Sequence, residues 1–234
     1  MKQLTNSLLL TATAVLFLTI TACSKATDED KIGDAQFCLD DLPVTGLTAA
    51  ERTSKVNTCL NKLGSLQSKQ ASLIRCSANF LIEGFGDPTR IVDAMKNVSS
   101  QSGGGGTVAM MNVLKFTSQS TAEENSTFAS TTLSYCEDAG NPGYVLIASF
   151  SKIATAMSAI ASVNLSDGLS QTEVNTIMTQ SPEVIGATAS VAYQTSCSGG
   201  ETSNAELCSQ LGAAIQSGAS DADIGQALLN AWKQ

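Results

Sequence analysis

Histidine is absent from this chain, and aromatic and basic side chains are scarce. Among its 234 residues there is no His, only 5% are Phe, Trp or Tyr, and 13 Lys and Arg stand against 21 Asp and Glu. Without histidine the chain has no Ser-His or Cys-His catalytic pair and no histidine-based zinc site. The net charge of −8 and the lack of rings for base stacking exclude a typical nucleic-acid binder.

The N-terminus carries the sequence features of an export signal. Lys2 precedes an apolar stretch from Leu8 to Ile20, which is short and rich in threonine for a membrane span. The segment Ile20–Cys23 (Ile-Thr-Ala-Cys) resembles the lipobox of bacterial lipoproteins. The resemblance implies that the chain is cut before Cys23, which then carries fatty acyl chains such as palmitate. An ordinary secretory signal cut after Ala22 is the alternative.

The same resemblance implies a place in the bacterial cell envelope. Ser24 follows the cysteine, where the family uses Asp for retention at the inner membrane, so we expect the outer membrane. Two or three acyl chains anchor a protein stably, whereas one is marginal. Loss of the signal (1–22) changes the net charge from −8 to −9. The polar segment 23–36 is predicted to be a flexible lipidated tether.

Six cysteines remain after Cys23, an even number in a chain that we expect to meet an oxidising compartment. They are Cys38, Cys59, Cys76, Cys136, Cys197 and Cys208. Cys197 and Cys208 are the closest in sequence and form the favoured pair, while the pairing of the other four stays open. Because C-x-x-C spacing and histidine are both missing, we predict structural disulfides and no metal site or cofactor.

Apolar residues recur at helical spacing along the mature chain, and no strand-like alternation of comparable length competes. Helices are predicted over 48–64, 65–85, 89–98, 108–116, 121–135, 144–163, 170–179, 182–195, 203–216 and 220–233. Thr48 with Glu51, and Ser120 with Glu123, have capping-box spacing. The sequence therefore predicts an all-α fold: an irregular multi-helix bundle or helical array, stapled by disulfides.

We expect residues 37–234 to form one helical domain. The segment 99–106 contains four glycines, which lose much backbone entropy in a helix, so it is predicted to be a loop or hinge. No fixed period of 33 to 47 residues is evident, which argues against a repeat solenoid.

One motif suggests catalysis. Ser149–Lys152 (Ser-Phe-Ser-Lys) resembles the S-x-x-K nucleophile motif of penicillin-binding proteins and serine β-lactamases, in which the lysine takes the serine proton. The K-T-G motif of that family is absent, so a chance match is favoured and no catalytic residue is predicted. The acidic pairs are interpreted as solvated helix ends. They are Asp40-Asp41, Glu123-Glu124 and Glu137-Asp138.

The stretch 144–163 is the most apolar of the mature chain and is interrupted by a single charge, Lys152. Its serines and threonine are costly in lipid, so a buried helix is favoured over membrane insertion. The predicted function is a non-enzymatic, lipid-anchored envelope lipoprotein with a binding or structural role towards a protein partner, and no role with nucleic acid. An envelope hydrolase and a membrane-perturbing or pore-associated protein are the alternatives.

Overall fold

The fold is described by a computed structural model for residues 26–43, 45–87, 104–161, 165, 169–197, 205–218 and 220–233. Within these residues the prediction of an all-α fold is confirmed, because they form ten α-helices and no β-strand. The helices are α1 (Asp28–Asp40), α2 (Ala49–Leu60), α3 (Lys69–Ile82), α4 (Gly104–Leu114), α5 (Ala122–Ala139), α6 (Pro142–Ala161), α7 (Gln171–Gln180), α8 (Pro182–Ser196), α9 (Ala205–Ser217) and α10 (Asp221–Trp232).

Capping boxes begin five of these helices. In each, the N-cap hydroxyl accepts a hydrogen bond from the N3 backbone N–H, and the N3 carboxylate accepts one from the N-cap backbone N–H. The N-cap residues are Thr27, Thr48, Thr121, Ser170 and Ser220. The pair Thr48 and Glu51 is as predicted, but α5 begins one residue later than predicted. Two overlapping pairs there fit the capping pattern, and the structure uses the second.

The buried side chains form three clusters. One lies between α1, α2 and α3, a second between α3, α5 and α6, and the third joins α4 to helices α6 through α10. The 20-residue α6 packs against α4, α5, α7 and α8, and so contributes to both of the last two clusters. The single tryptophan, Trp232, is completely buried in the third cluster.

Three disulfides join neighbouring helices. Cys38 pairs with Cys59 between α1 and α2, and Cys76 with Cys136 between α3 and α5. The third bridge links the end of α8 to α9 through the pair that sequence spacing favoured, Cys197 and Cys208. The prediction of a disulfide-stapled domain is therefore confirmed, and the two pairings left open are resolved.

Two predictions about loops are wrong. The tether was expected to extend to residue 36, but α1 begins at Asp28, because Thr27 and Asp30 form a capping box and Ala35 and Leu39 are buried. The glycine-rich segment was expected to be non-helical up to residue 106, but α4 begins at Gly104.

The helical glycines of α4 are explained by tertiary packing. A helical glycine costs about 1 kcal/mol relative to alanine. In α4 the buried side chains of Val108 and Met111 enter the third cluster, and packing of this kind provides most of the stability of helices in proteins. The remainder of the glycine-rich segment (99–103), the predicted helix 89–98 and the signal with Cys23 lie outside the described residues.

Candidate functional site

An apolar groove of about 450 Å³ opens between α1, α3 and α6. Most of its lining is contributed by aliphatic and aromatic side chains. These are Leu39, Leu73, Ile74, Phe80, Leu81, Phe85, Tyr144 and Ile147. Gln36, Asp40, Ser77 and Gly86 complete the lining. The volume lies within the range of ligand and side-chain binding pockets.

Three aromatic residues line this groove and stack on one another. The Phe80 ring stacks on Phe85 with centroids 5.4 Å apart and on Tyr144 at 6.1 Å, and all three line the groove. Phe116 packs edge-on against both phenylalanines from behind. Paired rings are rigid and bury large apolar areas. The floor of the groove is therefore preformed.

A glycine turn places Phe85 in the groove wall. Gly84 follows α3 with φ of +80°, a left-handed conformation that glycine adopts without strain. The turn brings the Phe85 backbone N–H within 2.9 Å of the Phe80 carbonyl oxygen. Arg52 braces the turn by donating from Nε to the Ile82 carbonyl oxygen at 2.9 Å.

A buried carboxylate fixes the loop behind the aromatic rings. Glu83 is almost fully buried, and its carboxylate accepts hydrogen bonds from the backbone N–H groups of Thr117 and Ser118 at 2.8 and 3.2 Å. The Ser118 hydroxyl donates to the same carboxylate. This loop includes Phe116, whose backbone N–H donates to Thr155 of α6 at 2.8 Å. The Glu83 side chain therefore fixes the loop that carries Phe116 behind the groove.

Two large hydrophobic side chains are exposed in the described part of the chain, and both belong to helices that form the groove. Ile147 of α6 lines the groove and is 40% exposed, while Phe37 of α1 is 72% exposed. One carboxylate, Asp40 at the C-terminal end of α1, lines the groove, whereas three others of this helix lie in its first turn, away from the groove. The site is an apolar groove with a single carboxylate at its α1 edge.

The S-x-x-K segment lies in the interior of α6. Ser149 is completely buried, and its Oγ has no hydrogen-bond partner. Lys152 therefore does not make the contact through which the motif's lysine activates its serine.

Of the three acidic pairs singled out in the sequence, one contributes a residue to the groove. Asp40 lines the groove, whereas Glu123-Glu124 and Glu137-Asp138 lie at the two ends of α5. All three acidic pairs are exposed, as expected for solvated helix ends. Among the residues described by the structure, no three His, Cys, Asp or Glu side chains are grouped so that they could hold a metal ion.

One described helix is long and apolar enough to cross a membrane by length and composition, Pro142–Ile160 of α6. More than half of that window, 56%, is buried against the rest of the domain. Its serine and threonine hydroxyls also have uses inside the fold, since Ser151 and Thr155 donate to carbonyl oxygens one turn earlier. These contacts favour a core helix.

Comparison of the chain with protein-family models, with curated proteins and with solved structures finds no match. Sequence reasoning missed the groove because its walls come from segments far apart in the chain. The one available signal was the Thr27-to-Asp30 capping box, which indicated that α1 is a folded element and not part of a tether.

Proposed function

We propose that this chain is a non-enzymatic lipoprotein of the bacterial envelope, which binds a protein partner through the apolar groove. The observation that carries the proposal is the preformed apolar groove of about 450 Å³, which is lined by three stacked aromatic rings and by the exposed Ile147. The lipobox resemblance at Ile20–Cys23 and the three disulfides support an exported, membrane-anchored location.

The groove has the features of a protein docking site. Binding energy at interfaces is concentrated where an apolar or aromatic anchor fills a well-packed pocket. A partner's apolar side chain would cover Ile147 and contact the ring of Phe85. Asp40 at the groove edge favours a partner with a basic residue beside that anchor, because complementary charge speeds association and suppresses wrong partners.

The expected anchor at Cys23 leaves the groove accessible to a partner. Asp28 follows Cys23 by five residues, which span at most about 18 Å when extended. The acidic start of α1 therefore lies close to the membrane, where anionic lipid headgroups repel carboxylates. The groove contacts the other end of α1, at Gln36, Leu39 and Asp40, so the acidic first turn lies between it and the anchor and the groove is available to a partner.

The anchor is tested by labelling cells with an alkyne-tagged palmitate and separating the outer membrane. The wild-type protein is expected to take up the label and to sediment with that membrane. The Cys23→Ala variant is expected to do neither. Equal labelling of both proteins would contradict the anchor.

The groove is tested by partner co-purification after formaldehyde crosslinking in cells. Ser77→Arg places a long cationic side chain in the groove without removing a core residue, and Ser134→Arg makes the same change at an exposed position of α5. A partner recovered with wild type and with Ser134→Arg is expected to be lost with Ser77→Arg. Retention by both variants would contradict docking at the groove.

A further inference from the structure

A second cavity, of about 580 Å³, lies on the opposite side of α3 from the apolar groove. It is bounded by the loop before α3, the first two turns of α3 and the C-terminal end of α5. Its lining is polar apart from Gly64 and the Tyr135 ring. The polar lining residues are Ser65, Gln67, Ser68, Lys69, Ser72, Arg75 and Asp138. The cavity and the groove have no lining residue in common.

Charges of both signs line this cavity without neutralising each other. Lys69 and Arg75 come from α3 and Asp138 comes from α5, and no ion pair joins them in the part of the chain that the structure describes. Opposite charges that share a cavity and remain unpaired can each bind a charge of a ligand. A ligand that satisfies both walls carries one charge of each sign.

The positive wall is preorganised. The Arg75 guanidinium donates to the carbonyl oxygens of Leu66 at 2.8 Å and Gly64 at 3.2 Å, and it lies over the Tyr135 ring at 5.8 Å. A guanidinium held this way loses little side-chain entropy when an anion binds. Lys69 extends across the cavity towards the end of α5.

A serine hydroxyl completes the site. Ser72 is only 7% exposed, lines the cavity, and makes no side-chain hydrogen bond to the described part of the protein. Ser77 on the same helix instead donates to a carbonyl oxygen one turn earlier at 3.0 Å. The Ser72 hydroxyl is therefore available to donate a hydrogen bond to a ligand in the cavity.

We infer that this cavity binds a small zwitterion of the amino-acid or short-peptide class. The ligand carboxylate contacts Arg75 and Lys69 and accepts a hydrogen bond from the Ser72 hydroxyl. The ligand ammonium contacts Asp138 of α5. A volume of about 580 Å³ is ample for a dipeptide. The inference concerns a different face of α3 and does not rest on the anchor or on the groove.

The chain supplies its own reporters for the test, because it contains three tyrosines. Tyr135 lines this cavity, Tyr144 lines the apolar groove, and Tyr193 packs against the third cluster. Full-length protein labelled with ¹³C-tyrosine is titrated with L-alanyl-L-alanine and followed by NMR. The expected result is a saturable shift of the Tyr135 signal alone. The absence of a saturable shift at Tyr135 would overturn the inference.

Single-charge probes and variants test the zwitterion chemistry. Acetate and methylammonium are expected to bind at least about tenfold more weakly than the dipeptide, since acetate lacks the contact to Asp138 and methylammonium lacks the contacts to Arg75 and Lys69. Lys69→Gln and Asp138→Asn are each expected to weaken dipeptide binding about tenfold, and Ser72→Ala about fivefold. Lys55→Gln, an exposed lysine outside the cavity, is the matched control and should leave it unchanged.

The readout also separates loss of binding from loss of folding. Unchanged Tyr144 and Tyr193 signals in a variant show that the groove and the third cluster are intact. Acetate binding as tightly as the dipeptide would overturn the zwitterion in favour of a simple anion site. Unchanged affinity in both Lys69→Gln and Asp138→Asn would overturn the site itself.

Discussion

Two glycines determine how closely α8 and α10 approach each other. A Cβ on Gly186 would lie 1.8 Å from the Asp221 carbonyl oxygen, and one on Gly225 would lie 1.9 Å from the Pro182 carbonyl oxygen. The contacts are reciprocal, so each helix presses its backbone into the gap left by the other's missing side chain. Small residues permit such close packing. The glycine requirement here is steric.

Gly186→Ala is therefore expected to destabilise the protein by about 3 kcal/mol, because the added methyl group must push two backbones apart. Gly33→Ala is the matched control, since a Cβ at Gly33 of α1 meets nothing within 4 Å. Gly33→Ala should stabilise the protein by about 0.5–1 kcal/mol, because alanine reduces the conformational entropy of the unfolded chain. Chemical denaturation followed by Trp232 fluorescence and circular dichroism measures both. Equal effects of the two substitutions would contradict the close crossing.

At the scale of the element, helix starts are defined by local side chains. Thr48 with Glu51 could be recognised in the sequence because both capping partners lie within four residues. The Thr27 and Asp30 pair marks the start of α1 in the same way, but the persistence of α1 and the helical state of Gly104 depend on contacts with distant helices and could not be recognised. Ala35 of α1 is buried against α2 and α3, and Val108 of α4 is buried in the third cluster. Local pattern predicts where a helix can begin, and packing decides whether it persists.

The caps of α1 and α2 make stability depend on pH. Hydrogen bonds from the backbone N–H and hydroxyl of Thr27 hold the pKa of Asp30 below its usual 3.8, and those from Thr48 hold the pKa of Glu51 below its usual 4.5. A carboxyl group whose pKa is lower in the folded state stabilises the fold above its unfolded pKa. That contribution is lost as the pH falls through the folded value.

The free energy of unfolding is therefore expected to fall as the pH drops below 4.5. The double variant Asp30→Asn/Glu51→Gln should lose less stability over the same interval, since it lacks both titrating groups. Urea denaturation at a series of pH values gives the two curves. Parallel curves for wild type and variant would show that the caps do not titrate with folding.

At the scale of the whole molecule, the disulfides differ in how much chain they close. Cys76 and Cys136 are 60 residues apart and belong to the second cluster, which includes Phe80 of the groove, whereas Cys197 and Cys208 are 11 apart. Closing a longer loop restricts the unfolded chain more. The bridge between Cys76 and Cys136 is thus expected to stabilise the folded protein more than the bridge between Cys197 and Cys208.

Replacing both cysteines of a bridge by alanine is expected to cost roughly 4 kcal/mol for Cys76 with Cys136 and roughly 3 kcal/mol for Cys197 with Cys208. Complete burial of the first pair adds a packing loss on top of the loop term. Denaturation midpoints of the two double variants measure the difference. A larger loss on removing the short-loop bridge would contradict this order.

The fold class and the even set of cysteines could be predicted from the sequence, because helical periodicity and residue counts are local properties. The groove could not, since it needs Leu39, Leu73 and Ile147 on three helices that only folding brings together. The S-x-x-K match was interpreted as a chance match because the K-T-G motif is absent. The burial of Ser149 could not be read from the sequence, since it depends on the helices around it.

Binding of a protein partner at the groove of the anchored domain can be tested by in-cell photo-crosslinking with a benzophenone amino acid at Ile147, with Gln226 of α10 as the exposed control position. We expect one defined protein adduct from position 147, absent from position 226 and lost when Cys23→Ala or Ser77→Arg is added. The same adducts from both positions, or none from position 147 while the protein is membrane-bound, would contradict it.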